Sequence, residues 1–581
     1  MLSLHKVLSF ASLSPVVTSL ARVLGSIDDL PDDVEPFDFI IAGGGTAGSV
    51  LASRLSEDPK FNVLVVEAGP DNTNVLELIV PAFQVNITAQ YFWNYTSEPM
   101  PGLNGRTLPV PRGHVLGGSS SVNGQVYTRG STDDYKYWAR AARDPRWEWD
   151  ALWPYILRNE RWTDPAGGRN SSGEYIPKVH GHEGNVLTSL PWNGAFPHEL
   201  RALENANIQD DEFPILRDVN GGRPIGLSRM QSTIGHGERS SAATAYLGSQ
   251  VRDRPNLTIL LNTYITRVLQ SNPTTDDTGL DIRTIEVATR FGDVKRNFTA
   301  TKELILSAGV IGTPQILLNS GIGNATELSK FGIAPVIDLP DVGQHMTDHV
   351  VAVLAWEHAP HNATPLPADL AWEMWERDRT GPLTERHAHL ILWSRIPGDS
   401  DLFKQHDDPA TGPNSPHLEM PFNDPTVSLL ALLTPKSEGS VKLRSIDPFD
   451  DPLIDLNFFS HPFDMDAIKE GIRTMKRFFT SPAWDGYITG FAGPDPDALS
   501  DEEFQNVIKA NARTFWHQVG TARMSSKHSA EGVVDAELNL KGAKGLKIVD
   551  ASVFPYVPAA HTQAPVYILA ERAVHLIRDA L

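Results

Sequence analysis

The run Phe37-Asp-Phe-Ile-Ile-Ala-Gly43-Gly-Gly45-Thr-Ala-Gly48 decides the fold. Apolar residues lead into a Gly-x-Gly-x-x-Gly turn, and a helical pattern, Ser49-Val-Leu-Ala-Ser-Arg-Leu55, follows directly. That is the strand, turn, helix order of a dinucleotide-binding unit. The first two glycines let the backbone turn tightly and approach a pyrophosphate. The third lets helix and strand pack closely, and the helix N-terminus offers free N–H groups to the anion. A second apolar run, Val63-Leu-Val-Val66, ends in Glu67, at the spacing where such units carry an acid for the adenosine ribose hydroxyls. These residues predict dinucleotide binding without saying which dinucleotide.

The chain has 581 residues, 41% of them apolar, too many for one hydrophobic core, so two or more domains are expected. A formal charge of -21 argues against nucleic acid or an anionic membrane as partner, since both would be repelled. Cysteine is absent, which removes disulfides, thiol nucleophiles and thiolate-bound metals. Residues 1–25 carry Lys6, a moderately apolar segment and small residues at a cleavage position, the pattern of a signal peptide. Seven N-x-[ST] sequons, at Asn86, Asn94, Asn170, Asn256, Asn297, Asn324 and Asn362, point the same way. The expectation is a secreted glycoprotein, monomeric, with no later span long enough to cross a bilayer.

Along the chain, residues 91–130 are rich in Gly, Pro and Ser and read as a long ordered loop, of the kind that usually carries function. A helical stretch follows at 133–161. Short strands are expected at 256–261, 263–269, 282–289 and 302–309, and Thr313-Pro314 reads as the cap and first residue of a helix. Residues 350–430 lack a clear period and read as a covering segment, after which strands and a helix at 465–479 resume. The pairs His180-Gly-His182 and His387-Ala-His389 share a face only on a strand and have no third ligand at metal spacing. No metal site is expected, and these read as surface histidines.

Four further stretches carry chemistry: Pro111-Arg-Gly-His-Val-Leu-Gly117-Gly118-Ser-Ser-Ser-Val-Asn123, Gly309-Val-Ile-Gly-Thr-Pro-Gln-Ile-Leu-Leu-Asn-Ser-Gly-Ile-Gly323, Thr514-Phe-Trp516-His517-Gln-Val-Gly-Thr-Ala-Arg-Met524, and Leu546-Lys-Ile-Val-Asp550-Ala551-Ser-Val-Phe-Pro-Tyr-Val-Pro-Ala-Ala-His561-Thr562-Gln563-Ala-Pro565. With the first glycine turn they resemble the glucose-methanol-choline family of flavin oxidoreductases, over nearly the whole chain from Phe37. The resemblance implies an α/β fold of two domains, in which a Rossmann-like FAD-binding domain is interleaved with a substrate-binding domain built on an antiparallel sheet. Residues 36–349 would form the N-terminal region with the FAD-binding domain, 350–432 a covering and substrate segment, and 433–577 the C-terminal region with the catalytic histidines.

The resemblance further implies that FAD is held by Gly43, Gly45, Thr46, Ala47, Gly48, Glu67, Gly117, Gly118, Asn123, Gly124, Val126, Ile265, Asp550, Ala551, Thr562 and Gln563. Val122 stands where some sugar dehydrogenases of the family carry a flavin-linked histidine, so non-covalent FAD is expected. His517 matches the catalytic base and His561 the second active-site position. A neutral imidazole suits removal of an alcohol proton near neutral pH. Thr562 caps the final helix on this reading, its positive dipole end facing the flavin.

Tyr95 and Trp516 match pocket aromatics of the aryl-alcohol oxidases, with Trp516 in place of a usual Phe and His114 in place of a usual Arg or Lys. The leading expectation is therefore oxidation of primary aromatic or allylic alcohols to aldehydes, with O2 or a quinone as electron acceptor and hydrogen peroxide as the product of O2 reduction. The alternatives are a sugar oxidase or dehydrogenase of the glucose oxidase or pyranose dehydrogenase type, which needs a more polar pocket, and a hydroxynitrile lyase. The lyase branch resembles a pocket containing cysteine, which this chain lacks.

Overall fold

The computed structural model describes residues 22–31, 34–271, 279–290, 295–359, 366–385, 388–422 and 427–581. The expected signal peptide therefore lies almost wholly outside the described residues, as do His387 and Asn362.

The glycine turn sits where the sequence places it. Strand Phe39–Ala42 enters the turn and helix Thr46–Leu55 leaves it. The strand pairs in parallel with Val63–Val66 on one side and Glu303–Leu306 on the other. Leu257–Leu260 and Arg22–Leu24 extend the sheet past Val63–Val66, and Leu546–Ile548 closes the opposite edge. All six strands run parallel, and the two central ones are buried at every residue, which is why they read as unbroken apolar runs rather than alternating ones. Helix Gln563–Asp579 lies in the same core, where Arg54 pairs with Glu571 at 2.8 Å.

A second body is built on a seven-stranded antiparallel sheet. Its path runs through Ile488–Phe491, Val350–His358, Val427–Leu432, Leu418–Phe422, Leu390–Ser394 and Gly226–Arg229, and Arg513–Thr514 pairs onto Val350 and Val351. Helix Pro462–Phe479 packs its apolar face into the core of this sheet. Stretch 350–432, expected as a covering segment, supplies four of these strands. Leu390–Ser394 and Leu418–Phe422 are buried at every position, so they show no alternation.

Four local expectations are corrected. Helix Gly309–Asn319 begins before Thr313, leaving Pro314 inside it. The carbonyl of Val310, which a residue with an N–H at 314 would bond, instead accepts the Thr521 hydroxyl at 2.7 Å. The 133–161 stretch is two helices, Thr132–Ala142 and Trp149–Asn159. His180 is buried between Glu160 and Asp218, and His389 between Glu199 and Glu385, so neither is a surface residue. Asn256 is 8% exposed and its amide donates to the carbonyls of Ser56, Asp58 and Phe61, so its sequon is a packing feature.

Candidate active site

One cavity of about 590 Å³ runs between the parallel sheet and the antiparallel body. Gly43, Gly45, Thr46, Ala47 and Glu67 line it together with Ile265. So do Gly118, Asn123, Gly124 and Val126 from the second glycine stretch, and Asp550, Ala551, Thr562 and Gln563 from the last motif. His517, His561, Tyr95 and Trp516 complete it. Gly48 and Gly117 stand behind the wall. A Cβ on Gly48 would lie 1.9 Å from the Gly43 carbonyl oxygen, and one on Gly117 would lie 2.4 Å from Ser121 Oγ, so both permit close packing of the wall rather than contact with a ligand.

The cavity walls fit a flavin dinucleotide. Gly45 and Gly309 face open space, where a Cβ would meet no protein atom closer than 3.8 Å. Glu67 follows its strand directly, and its two carboxyl oxygens accept from Gly44 N and Gly69 N at 2.8 Å each. Burial pushes this carboxyl up to about 7 against those backbone N–H groups, and each oxygen keeps a second acceptor position for a ribose hydroxyl. The amide of Gln125, fully buried on the cavity wall, finds no partner among the described residues for either Oε1 or Nε2, and buried amides are rarely left so. Asp550 is spoken for by Gly309 N at 3.0 Å, Thr313 Oγ1 at 2.7 Å and Ser552 N at 2.7 Å. Those bonds tie the last motif to the third glycine stretch. The expected Thr562 cap is not formed: Thr562 occupies the N-cap position of helix Gln563–Asp579 but its side chain makes no capping bond, and the first turn of the helix borders the cavity through Gln563 and Val566.

The histidines meet because two loops are pinned. Pairing of Arg513–Thr514 with Val351 and Val350, and a bridge from Val519 to Thr347, hold residues 515–518 against residues 347–349. Asp348 fastens the inner side. It accepts from the backbone N of His517 at 2.8 Å, from Gln518 Nε2 at 2.7 Å and from Thr514 Oγ1 at 2.5 Å. Burial still raises its carboxyl to about 6. The rings of His517 and His561 lie 4.7 Å apart at 73°. Phe515 packs against both, at 4.7 and 5.1 Å.

His517 and His349 face each other through their Nδ1 atoms at 3.0 Å. Burial, followed by the neighbouring His561, His349 and Arg112, holds His517 well below the usual histidine range. Burial likewise pushes His349 down to about 3, with His561 adding to it. Nε2 of His561 donates to Glu419 Oε1 at 2.8 Å. These relations leave a neutral His517 beside a second histidine held by a carboxyl group, the arrangement of a base and a hydroxyl-orienting group.

Aromatic side chains form the mouth. Trp93 stacks on Tyr95 at 5.6 Å and meets His114 edge-on at 4.5 Å. Trp516 is 44% exposed, at φ 60, with its carbonyl held by Arg112 at 2.8 Å and its N–H by Thr514 Oγ1 at 2.8 Å. Trp516 thus borders the entrance, and Phe515, not singled out in the sequence, is the aromatic between the histidines. Asp348, His349 and Glu419 were missed too, since each is a single residue with no motif spacing around it, and Arg112 was passed over inside a stretch read for its glycines. Among the described residues no cluster of three His, Asp or Glu side chains could hold a metal, and no helix is long and apolar enough to cross a membrane.

Fold and site together define an α/β protein of the dinucleotide-binding class, with a histidine pair in the wall of its cavity. The N-terminal and C-terminal models of the GMC oxidoreductase family match residues 37–351 and 435–570, and the chain belongs to that family. It is 40% identical to pyranose dehydrogenase 3 of Leucoagaricus meleagris, over 98% of this chain and 97% of that one. An FAD-dependent oxidoreductase from Chaetomium thermophilum superposes with a TM-score of 0.83 at 28% identity, over 94% of this chain and 99% of that one. A fungal aryl-alcohol oxidase gives 0.82 at 25% identity, over 94% and 99%.

Proposed function

We propose that the protein oxidises a sugar hydroxyl to a carbonyl with non-covalently bound FAD, acting as a secreted pyranose dehydrogenase or oxidase. The observation that carries this is the 40% identity with a pyranose dehydrogenase along essentially the full length of both chains. It replaces the aryl-alcohol reading as the leading one. The Glu419–His561 pair and the guanidinium of Arg112 supply polar groups of the kind that a sugar requires. The aromatic mouth of Trp93, Tyr95 and Trp516, with Phe515 between the histidines, supports aryl alcohols as the second reading.

When bound, FAD supplies the acceptor for the hydride leaving the carbinol carbon. His517 takes the hydroxyl proton, so that the O–H bond yields H⁺ to the imidazole as the C–H pair departs. His561, fixed by Glu419, hydrogen-bonds the substrate oxygen and orients it. Phe515 and the walls around both rings keep bulk water from the reacting atoms. Val122, at 9% exposure on the cavity wall, carries no atom able to bond the flavin.

The deciding experiment mixes the oxidised protein anaerobically with glucose, galactose and anisyl alcohol while flavin absorbance is followed, then admits oxygen or benzoquinone. Bleaching by the sugars is expected. Bleaching by anisyl alcohol alone moves the protein to the aryl-alcohol reading, and a flavin that stays oxidised with every alcohol moves it to the lyase. The faster reoxidant separates an oxidase from a dehydrogenase. Exposed sequons at Asn86, Asn170 and Asn297 support secretion, which a mass shift on enzymatic deglycosylation tests. Sedimentation tests the monomer.

A further inference from the structure

We propose that Arg112 and Tyr95 form an anion subsite in the cavity wall, a pocket that takes the carboxylate of an organic acid. The inference goes beyond the sugar reading, which asks only for neutral hydrogen-bonding groups, and it stands on the cavity wall whichever alcohol is oxidised.

Strands Phe92–Thr96 and Pro109–Gly113 pair antiparallel, with Trp93 opposite Arg112 and Tyr95 opposite Val110. Directly paired residues, and residues two apart on one strand, share a face. Trp93, Tyr95 and Arg112 therefore rise from one side of this ribbon, and all three line the cavity. Arg112 alone of the arginines and lysines does so, among the described residues. Its Nη1 is spoken for, donating to the Trp516 carbonyl at 2.8 Å and to Gln518 Oε1 at 3.3 Å. Nε and Nη2 bond nothing among the described residues, and neither is sealed in the interior, so both open onto the cavity.

Nε and Nη2 are the edge of a guanidinium that meets a carboxylate with two parallel N–H···O bonds. No carboxylate of the described residues pairs with it, and the guanidinium stays charged, so an enclosed cation is left unanswered at a cost in free energy. Elsewhere the chain answers such a group: Arg129 and Arg54 each bond a carboxylate, Glu160 and Glu571. Tyr95 adds a second donor. Its side chain is 5% exposed, and its hydroxyl makes no hydrogen bond among the described residues and is not sealed in either. Burial, followed by the charge of Asp451, holds the phenol above its ordinary value, so it keeps its proton and donates. A carboxylate brings only acceptors and answers both side chains, whereas a sugar hydroxyl brings a proton of its own to a place already crowded with donors. Asp450 and Asp451 also line the cavity, but both are exposed, where water and salt screen them.

The test titrates benzoate, and benzamide as its neutral counterpart, into the oxidised holoenzyme while the flavin spectrum and the melting temperature are followed. Neither compound carries a hydroxyl to oxidise, so the reading needs no turnover. Benzoate is expected to bind with a Kd lower by about tenfold or more, and the margin should shrink as salt rises. Arg112→Gln is expected to erase the margin and Tyr95→Phe to narrow it. A second pair, glucuronate and glucose, is read as the concentration that half-saturates anaerobic flavin reduction. A margin for the acid in this pair places the ligand among sugar acids, and a margin confined to benzoate places it among aromatic acids. No margin in either pair, or one that survives in Arg112→Gln, overturns the proposal. Should Arg112→Gln fail to fold, the wild-type margin and its narrowing in Tyr95→Phe decide. Failure of the sugar reading shows separately, as a flavin that neither sugar bleaches while the benzoate pair still reports on the subsite.

Discussion

Glu419 Oε1 accepts from Nε2 of His561 at 2.8 Å, and its second oxygen, Oε2, is buried without a partner among the described residues. The bond turns the imidazole so that only its other nitrogen can serve the cavity. Glu419→Leu removes the acceptor and leaves a buried donor, which costs about 1–3 kcal/mol of stability and frees the ring. The expected outcome is flavin retained, with kcat lowered by about tenfold or more and KM raised. Glu419→Gln, which keeps an acceptor oxygen, should lose less. Anaerobic flavin reduction and thermal melting check both.

His517 must be neutral to act as a base. Burial and the flanking His561, His349 and Arg112 all disfavour its proton, so the base form persists on acidification past the usual histidine range. The rate constant for flavin reduction is therefore expected to stay flat from pH 8 to below pH 6, its acid limb lying well below 6.5. His517→Gln should lower that constant by about 10²–10⁴-fold and keep the yellow flavin. A limb centred near 6.5 in the wild type would contradict the assignment.

Gly43 and Gly309 both adopt positive φ, +108 and +80, but they fail differently when replaced. A Cβ on Gly43 would stand 2.4 Å from the Ser307 carbonyl oxygen, whereas one on Gly309 meets no protein atom within 4 Å and projects into open space beside the cavity. Gly43→Ala is expected to give insoluble or unfolded protein. Gly309→Ala should fold with a Tm lowered by a few degrees, from about 1 kcal/mol of backbone strain, and lose most of its flavin. The ratio of flavin to protein absorbance reads the difference.

His389 sits in a buried pair of carboxyls, with Glu199 at 3.3 Å and Glu385 at 3.4 Å. Burial works against its charge, but the hydrogen bonds and charges of the two carboxyls prevail and raise it to about 9. A group raised in the folded state contributes stability that is complete below its unfolded value near 6.5 and is lost as pH rises through 9. The order of magnitude is about 3 kcal/mol. Melting temperatures should fall between pH 6.5 and 9.5, and His389→Gln should flatten that slope while lowering the plateau.

The parallel sheet and the glycine turn were legible because each depends on a local rule, and the two cavity histidines were singled out through the family resemblance of the motifs around them. Strands 39–42 and 63–66 are buried on every side and read as apolar runs, and Gly43 to Gly48 read as a turn at fixed spacing. The residues around the histidines escaped because pairing across distant chain brings them in. His349 reaches His517 through the Arg513–Thr514 pairing, and Glu419 reaches His561 from a fully buried strand inside the stretch that showed no period and read as a covering segment. His180 and His389 looked exposed for the same reason, their carboxyl partners lying far off in sequence except Glu385. Thr313-Pro314 has the chemistry of a helix start, but Gly309 turns the chain early and Thr521 takes the carbonyl that Pro314 leaves unbonded.

Strand Leu546–Ile548 completes the cofactor sheet by pairing with Leu304, Ile305 and Leu306, and helix Gln563–Asp579 then seals the cavity. The glycine turns near the start of the chain therefore meet their opposite wall only through residues more than 400 positions later. The last part of the chain is thus a wall of the cavity and not an appendage to it, since Asp550, Ala551, His561, Thr562, Gln563 and Val566 all line it.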